Sequence, residues 1–124
     1  MRTRSKWLTV SSSPTAAAQA VDEQPAVVAL LGVLADKDWR GMITELSRVA
    51  STMVLVSPPS APKNRAWDPH QALDFASSIG VKAVVEPDFA RAIKEAASTR
   101  GRVIITGSFH TVGDALVELG EKTL

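Results

Sequence analysis

The feature that most constrains the fold is an uninterrupted apolar run, AVVALLGVL, at residues 26–34. A strand with one solvated face shows polar residues at alternate positions, so this run predicts a strand buried on both faces. Strands of that kind belong to parallel sheets that are covered by helices on both sides. We therefore expect an α/β fold with a mainly parallel sheet.

Apolar runs and amphipathic segments alternate along the rest of the chain. Further strands are predicted at residues 52–56, 81–85 and 102–106. Apolar residues at three- and four-residue spacing predict helices between and after them, with Asp38, Asp68 and Asp88 as N-terminal caps. The second of these helices is expected to bury Ile79. The order βαβαβα predicts a three-layer, Rossmann-like domain.

The pattern is weaker before residue 26. Residues 1–25 form a poorly patterned N-terminal segment, in which we expect a degenerate strand at 6–10 and a helix at 14–23. The segment starts with basic residues and has no acidic residue before Asp22, which loosely resembles a transit peptide, but its apolar run is too short for a secretory signal. We expect a cytoplasmic protein whose main domain spans residues 26–124.

Composition excludes several classes of function. With 124 residues and a formal charge of +1, the chain gives no reason to expect nucleic acid as a partner. It has no Cys and two His, so a Cys-type zinc site or a thiolate nucleophile is excluded and no metal site is expected. No apolar run is long enough to span a membrane. The sequence contains neither GxGxxG nor GxxxxGK[ST], which disfavours a dinucleotide site and leaves no phosphate-binding loop of the Walker type.

The loop that follows the first buried strand is rich in charge. The sequence GVLADKDWRGM at residues 32–42 places Asp36, Lys37 and Asp38 between that strand and a helix. In a parallel sheet, loops at the carboxyl ends of strands are where ligands bind. The same residues also suit a structural interpretation, in which the two Asp residues cap the helix and Lys37 lies in solvent.

A second candidate loop follows the last strand. The sequence TGSFHTVG at residues 106–113 combines a glycine, the hydroxyl of Ser108, the imidazole of His110 and the start of a helix with free amides. Here too a structural interpretation stays open, with Ser108 and Thr111 as helix caps and His110 at the surface. Spacing alone does not decide between the two.

Together, GVLADKDWRGM and ITGSFHTVGDAL resemble the C-terminal domain of bifunctional dihydrofolate synthase/folylpolyglutamate synthase, a member of the Mur ligase superfamily. The resemblance covers about residues 26 to 120 and implies a Rossmann-like domain of an ATP-dependent ligase in folate biosynthesis. In that family ATP and Mg²⁺ serve to activate a carboxylate of dihydropteroate or a folate, and L-glutamate is then added. The resemblance further implies a Mur-type central ATPase domain as partner, in cis or in trans.

The resemblance also implies roles for particular residues. Ser108 and His110 are expected to bind substrate, and Asp36, Lys37 and Asp38 are expected to line the interdomain cleft. It assigns this chain no catalytic residue and no metal ligand. The family's D-x-A-H-N-P motif is not matched at residues 9–14, where only Pro14 agrees.

We therefore expect the isolated chain to be inactive and to hold no cofactor by itself. Three explanations stay open: a truncated or frameshifted ligase, a split subunit that docks on a separate ATPase domain, or a stand-alone α/β module reused for binding. Each predicts exposed apolar surface and hence association or low solubility. A phosphoacceptor receiver domain is disfavoured, because the strand at 52–56 ends in Ser57 and Pro58 where an Asp is needed.

Overall fold

A computed structural model describes residues 7–11, 27–98 and 101–120. The strands in these residues are β1 (Trp7–Ser11), β2 (Val27–Leu31), β3 (Thr52–Leu55), β4 (Ala83–Val85) and β5 (Arg102–Thr106). The helices are α1 (Trp39–Leu46), α2 (Pro69–Ser78), α3 (Phe89–Ser98) and α4 (Phe109–Glu118), and a turn of 3₁₀ helix covers Lys63–Arg65. The predicted helix at 14–23 lies outside the described residues.

The strands form one five-stranded parallel sheet in the order β1-β5-β2-β3-β4. The apolar run at 26–34 supplies β2, which lies between β5 and β3, so its position explains why it carries no polar side chain. The weakly patterned N-terminal segment supplies β1, which pairs with β5 along the edge of the sheet. The parallel α/β fold expected from the sequence is confirmed.

Helices cover both faces of the sheet and make the expected three layers. On one face α1 and α2 bury Trp39, Ile43, Leu46, Ala72 and Ala76 against β2 and β3. On the other face α3 and α4 bury Phe89, Ala92, Ile93, Ala96 and Ala115 against β2, β3 and β5. Burial of this apolar surface, at about 25 cal/mol per Å², is the main favourable contribution to folding.

Three Asp side chains begin helices as predicted. Asp38 Oδ1 accepts a hydrogen bond from the Gly41 amide at 3.0 Å and Asp68 Oδ1 accepts one from His70 N at 2.9 Å. Asp88 Oδ1 likewise accepts from Arg91 N at 3.1 Å. Each carboxylate satisfies an amide that has no partner within its helix, typically stabilising the helix by about 1 kcal/mol.

The prediction that Ile79 belongs to the core was wrong. Ile79 is 43% exposed, although its spacing continues the apolar face of α2. The helix ends at Ser78, and Ile79 is the C-terminal cap with φ −104° and ψ 12°. Because the backbone has left the helical conformation at this residue, the 3.6-residue period no longer decides where its side chain points.

Candidate functional site

The two candidate loops meet because β2 and β5 are neighbours in the sheet. Gly32 N, just after β2, donates to the Thr106 carbonyl at 3.2 Å. Gly107 has φ +131°, and a Cβ at this position would overlap the backbone of Gly32. The close approach of the two loops therefore requires a residue without a side chain at Gly107.

A buried hydroxyl holds the loops in this arrangement. Thr111 Oγ1 donates to the Gly32 carbonyl at 2.7 Å and lies 3.1 Å from Ser108 Oγ. Thr111 is fully buried, so this hydrogen bond has no competition from water. The sequence suggested only a helix cap for Thr111, because its partner lies 79 positions away along the chain.

A cleft of about 370 Å³ opens above this contact. It is lined by Leu34, Lys37, Met42, Arg65, Gly107, Ser108, Phe109 and His110. The structure thus brings together Lys37 from one predicted loop with Ser108 and His110 from the other. Asp36 and Asp38 lie outside this lining.

Arg65 is a lining residue that the sequence did not indicate. Its Nη2 lies 2.9 Å from Asp36 Oδ2 and 3.3 Å from Asp36 Oδ1. Desolvation opposes ionisation of Asp36, but the hydrogen bonds and positive charge of Arg65 outweigh it, so the pKa of Asp36 lies below its ordinary value. Asp36 therefore holds Arg65 at the cleft. The only signal in the sequence was a basic cluster among prolines, which carries no information about a partner 29 residues away.

Asp38 and Ser108 both begin helices. Asp38 caps α1, and Ser108 Oγ accepts a hydrogen bond from Thr111 N at 3.2 Å at the start of α4. Ser108 also lines the cleft, so its hydroxyl is both a cap and a candidate contact for a ligand. Substrate binding by Ser108 and a place for Asp38 at an interdomain cleft stay predictions.

His110 is tied to the proline-containing loop. Its Nδ1 lies 3.2 Å from Ser60 Oγ, and Ser60 N donates to Asp114 Oδ2 at 2.9 Å. These contacts tie Ser60 to the first turns of α4. The His110 side chain also lines the cleft.

The chemistry of the lining suits an anion. Lys37 and Arg65 are the cationic groups, and α4 begins at the cleft with backbone N–H groups and the positive end of its dipole. Among the described residues, no group of three or more His, Cys, Asp or Glu side chains is arranged to hold a metal. The cationic side chains and the start of α4 therefore suit a carboxylate or a phosphate.

Comparison with known proteins finds solved structures that are similar to this chain, but no matching family model or curated sequence. No protein-family model matches the chain, and no curated protein sequence is significantly similar to it. A structure of Mycobacterium tuberculosis folylpolyglutamate synthase complexed with ADP and AMPPCP superposes with a TM-score of 0.71 at 27% identity over 93% of this chain. The chain is thus similar to part of a folylpolyglutamate synthase.

Two further structures agree with this likeness. The bifunctional folylpolyglutamate synthase/dihydrofolate synthase of Yersinia pestis, complexed with AMPPNP and Mn ion, matches at a TM-score of 0.62 and 28% identity over 90% of this chain. The Thermotoga maritima folylpolyglutamate synthase matches at 0.67 and 21% identity, which supports the fold alone.

The chain spans less than a third of the length of these two enzymes. It spans 29% of the Mycobacterium tuberculosis chain and 27% of the Yersinia pestis chain. That share is consistent with a single C-terminal domain, as the resemblance implied. None of the helices in the described part of the chain has the length and apolar composition needed to cross a membrane.

Proposed function

We propose that the chain acts as the C-terminal domain of an ATP-dependent ligase that adds L-glutamate to dihydropteroate or to folates. The observation that carries the proposal is the cleft, because it is built from both sequence motifs that resemble this family. Similarity above 25% identity to two such enzymes supports it. The sequence contains no Walker-type phosphate-binding loop, so we expect the isolated chain to be inactive and the intact enzyme to need a central ATPase domain, in cis or in trans.

In this proposal the cleft binds the anionic groups of the reactants. Lys37 and Arg65 contact carboxylate or phosphate oxygens, and the Asp36 carboxylate keeps Arg65 in position. Ser108 and His110 orient the substrate through hydrogen bonds. ATP supplies the phosphoryl group that activates the acceptor carboxylate, and the Mg²⁺ that accompanies it would be held by parts of the intact enzyme other than this chain.

Binding to the isolated chain gives the first test. We expect L-glutamate or inorganic phosphate to shift the NMR signals of residues around the cleft. Replacing Arg65 with Ala removes one of the two cationic side chains, so it should weaken binding by about tenfold. Lys63→Ala is the matched control, because Lys63 is exposed in the same loop but does not line the cleft. If Arg65→Ala and Lys63→Ala both bind as tightly as the unmodified chain, Arg65 is excluded from the site.

A hybrid ligase tests the function itself. This chain replaces the matched part of the Mycobacterium tuberculosis enzyme, and incorporation of labelled glutamate is measured. We expect activity, and we expect Ser108→Ala to raise the KM for glutamate more than it lowers kcat. Ser78→Ala, which removes a hydroxyl at the far end of α2, should leave both unchanged. A folded hybrid that forms no product would contradict the proposal.

A second candidate is a stand-alone α/β binding module that acts with a partner in trans. The observation that favours it is the exposure of Phe109 and Val117, which are 83% and 74% accessible on α4. Anion binding by the isolated chain together with an inactive hybrid would favour this candidate over a ligase domain.

A further inference from the structure

Residues 60–65, here called the strap, are held on α4 by their first residue. Ser60 N donates to Asp114 Oδ2 at 2.9 Å, and Ser60 Oγ lies 3.2 Å from His110 Nδ1. Asp114 and His110 are one turn apart on α4, so their side chains lie on the same side of that helix. Two side chains of one helix therefore hold the same loop residue, although 54 and 50 positions separate them from it along the chain.

The last residue of the strap is held on the loop that follows β2. Arg65 Nη2 lies 2.9 Å from Asp36 Oδ2, and the Arg65 carbonyl accepts a hydrogen bond from Ala35 N at 2.8 Å. Arg65, at one end of the strap, and His110, in contact with the other end, both line the cleft. The strap thus joins two parts of the cleft that come from different elements of the fold.

The conformation of the strap is restricted along its length. Ala61 N donates to the Pro58 carbonyl at 3.1 Å, and Arg65 N donates to the Pro62 carbonyl at 2.9 Å, so two successive turns cover the segment. Pro58, Pro59 and Pro62 each fix the backbone angle φ near −65°. Pro58 is also buried, which anchors the chain just before the strap begins. A short segment of this kind keeps its two ends at a set separation.

We propose that Asp114 is a positioning residue of the cleft, which holds the strap on α4 and thereby sets the separation between Arg65 and His110. The proposal rests on the anion-binding role proposed above for the cleft, and it adds a residue on which the affinity for the anion depends. Asp114 is not one of the described residues that line the cleft. It therefore acts through Ser60 and the strap rather than by contact with the ligand.

The negative charge of Asp114 makes the proposal testable by the direction of the effect. Asp114 lies one helical turn from His110, so its charge repels an anion in the cleft, and removal of the charge alone would tighten binding. Removal of its hydrogen bond to Ser60 would weaken binding, because Arg65 and His110 would no longer be held in place before the ligand arrives. Asp114→Asn separates the two effects, since an amide oxygen still accepts from Ser60 N but carries no charge.

Titration of the whole 124-residue chain with inorganic phosphate, and separately with L-glutamate, followed by NMR, tests the proposal. We expect Asp114→Ala to weaken binding by about three- to tenfold, as for the loss of one hydrogen bond. Asp114→Asn should bind at least as tightly as the unmodified chain. Asp74→Ala is the matched control, because Asp74 is exposed on α2 and does not line the cleft, and it should not weaken binding.

Two results of this titration would overturn the proposal. One is an Asp114→Ala variant that binds both anions as tightly as the unmodified chain or more tightly, since the charge alone would then account for the effect. The other is an Asp114→Asn variant that binds as weakly as Asp114→Ala, since the hydrogen bond would then not be what matters.

A second measurement does not depend on a ligand. Hydrogen exchange of the Ala35 amide reports on the far end of the strap, because this amide donates to the Arg65 carbonyl. Exchange should be faster in Asp114→Ala and unchanged in Asp114→Asn and Asp74→Ala. If the unmodified chain binds neither anion, the proposed function fails, and exchange at Ala35 then decides whether Asp114 positions the strap. Equal exchange at Ala35 in Asp114→Ala and in the unmodified chain would overturn the positioning role.

Discussion

Replacement of Gly107 with Ala tests whether the contact between the two loops holds the cleft together. Gly107 has φ +131°, a conformation that costs residues with a Cβ about 1–3 kcal/mol. The added methyl group would also overlap the backbone of Gly32, which cannot rotate away as a side chain can. Overpacking of this kind adds about 1–3 kcal/mol. We therefore expect Gly107→Ala to lower the free energy of unfolding by about 2–6 kcal/mol.

Gly101→Ala provides the matched control. Gly101 has φ +106°, but a Cβ there would have no described atom within 4 Å, so only the conformational cost of about 1–3 kcal/mol applies. The difference between the two variants measures the contact between Gly107 and Gly32.

Urea unfolding of both variants, followed by far-ultraviolet circular dichroism, gives the two free energies. A small domain has a total stability of about 5–15 kcal/mol, so the midpoint of Gly107→Ala should fall well below that of Gly101→Ala. Equal midpoints would refute the reasoning, because the ends of β2 and β5 would then have to separate without cost.

Three other substitutions probe the core and the rim of the cleft. Leu46→Asp places an unpaired charge at a fully buried position of α1 and should leave the chain unfolded at 25 °C by circular dichroism. Trp67→Phe removes the 2.8 Å hydrogen bond from the indole Nε1 to the Val56 carbonyl and should cost about 1–3 kcal/mol in urea unfolding. Asp36 has a lowered pKa in the folded state, so its pair with Arg65 stabilises the fold above the ordinary carboxyl pKa. That contribution is lost as the pH falls through the folded-state pKa, and Asp36→Asn should show a smaller loss of stability on acidification below about pH 5.

The first two of these substitutions have matched controls. Thr44→Asp is the control for Leu46→Asp. It introduces the same charge at an exposed position of α1, so it should stay folded and show a cooperative unfolding transition. Trp39→Phe is the control for Trp67→Phe. It removes the same ring volume from a buried residue, Trp39, which packs edge-on against Trp67 with 6.0 Å between the ring centroids. A cooperative transition in Leu46→Asp, a stability of Trp67→Phe equal to wild type, or identical acid profiles with and without Asp36 would each contradict the corresponding prediction.

Local features were predicted well from the sequence, because neighbouring residues decide them. Asp38 begins a helix in almost any context, since its carboxylate reaches amides three residues ahead. The apolar run at 26–34 likewise predicts a central strand from its own composition. Ile79 shows the limit of periodicity, which does not reveal where the backbone leaves a helix.

Long-range pairings could not be predicted in this way. Arg65 lines the cleft because a proline-containing loop turns back toward Asp36. Neither stretch of sequence predicts this contact between the two residues. The hydrogen bond from Thr111 to Gly32 likewise follows from β5 lying beside β2, although α1, β3, α2, β4 and α3 lie between these strands along the chain. The resemblance pointed to the two loops, but the residues that support them emerge only when the strand order is known.

The strand order also bears on how the protein is made. Strand β5 lies between β1 and β2, although it comes last in sequence among the five strands that the structure describes. A growing polypeptide therefore cannot complete its sheet until residues 102–106 have left the ribosome. Until then the two strand edges that will flank β5 have unpaired backbone groups, which is the state most prone to aggregation during synthesis. Folding of the sheet is accordingly expected to wait for the synthesis of β5, with the slow rates typical of contacts that join distant parts of a chain.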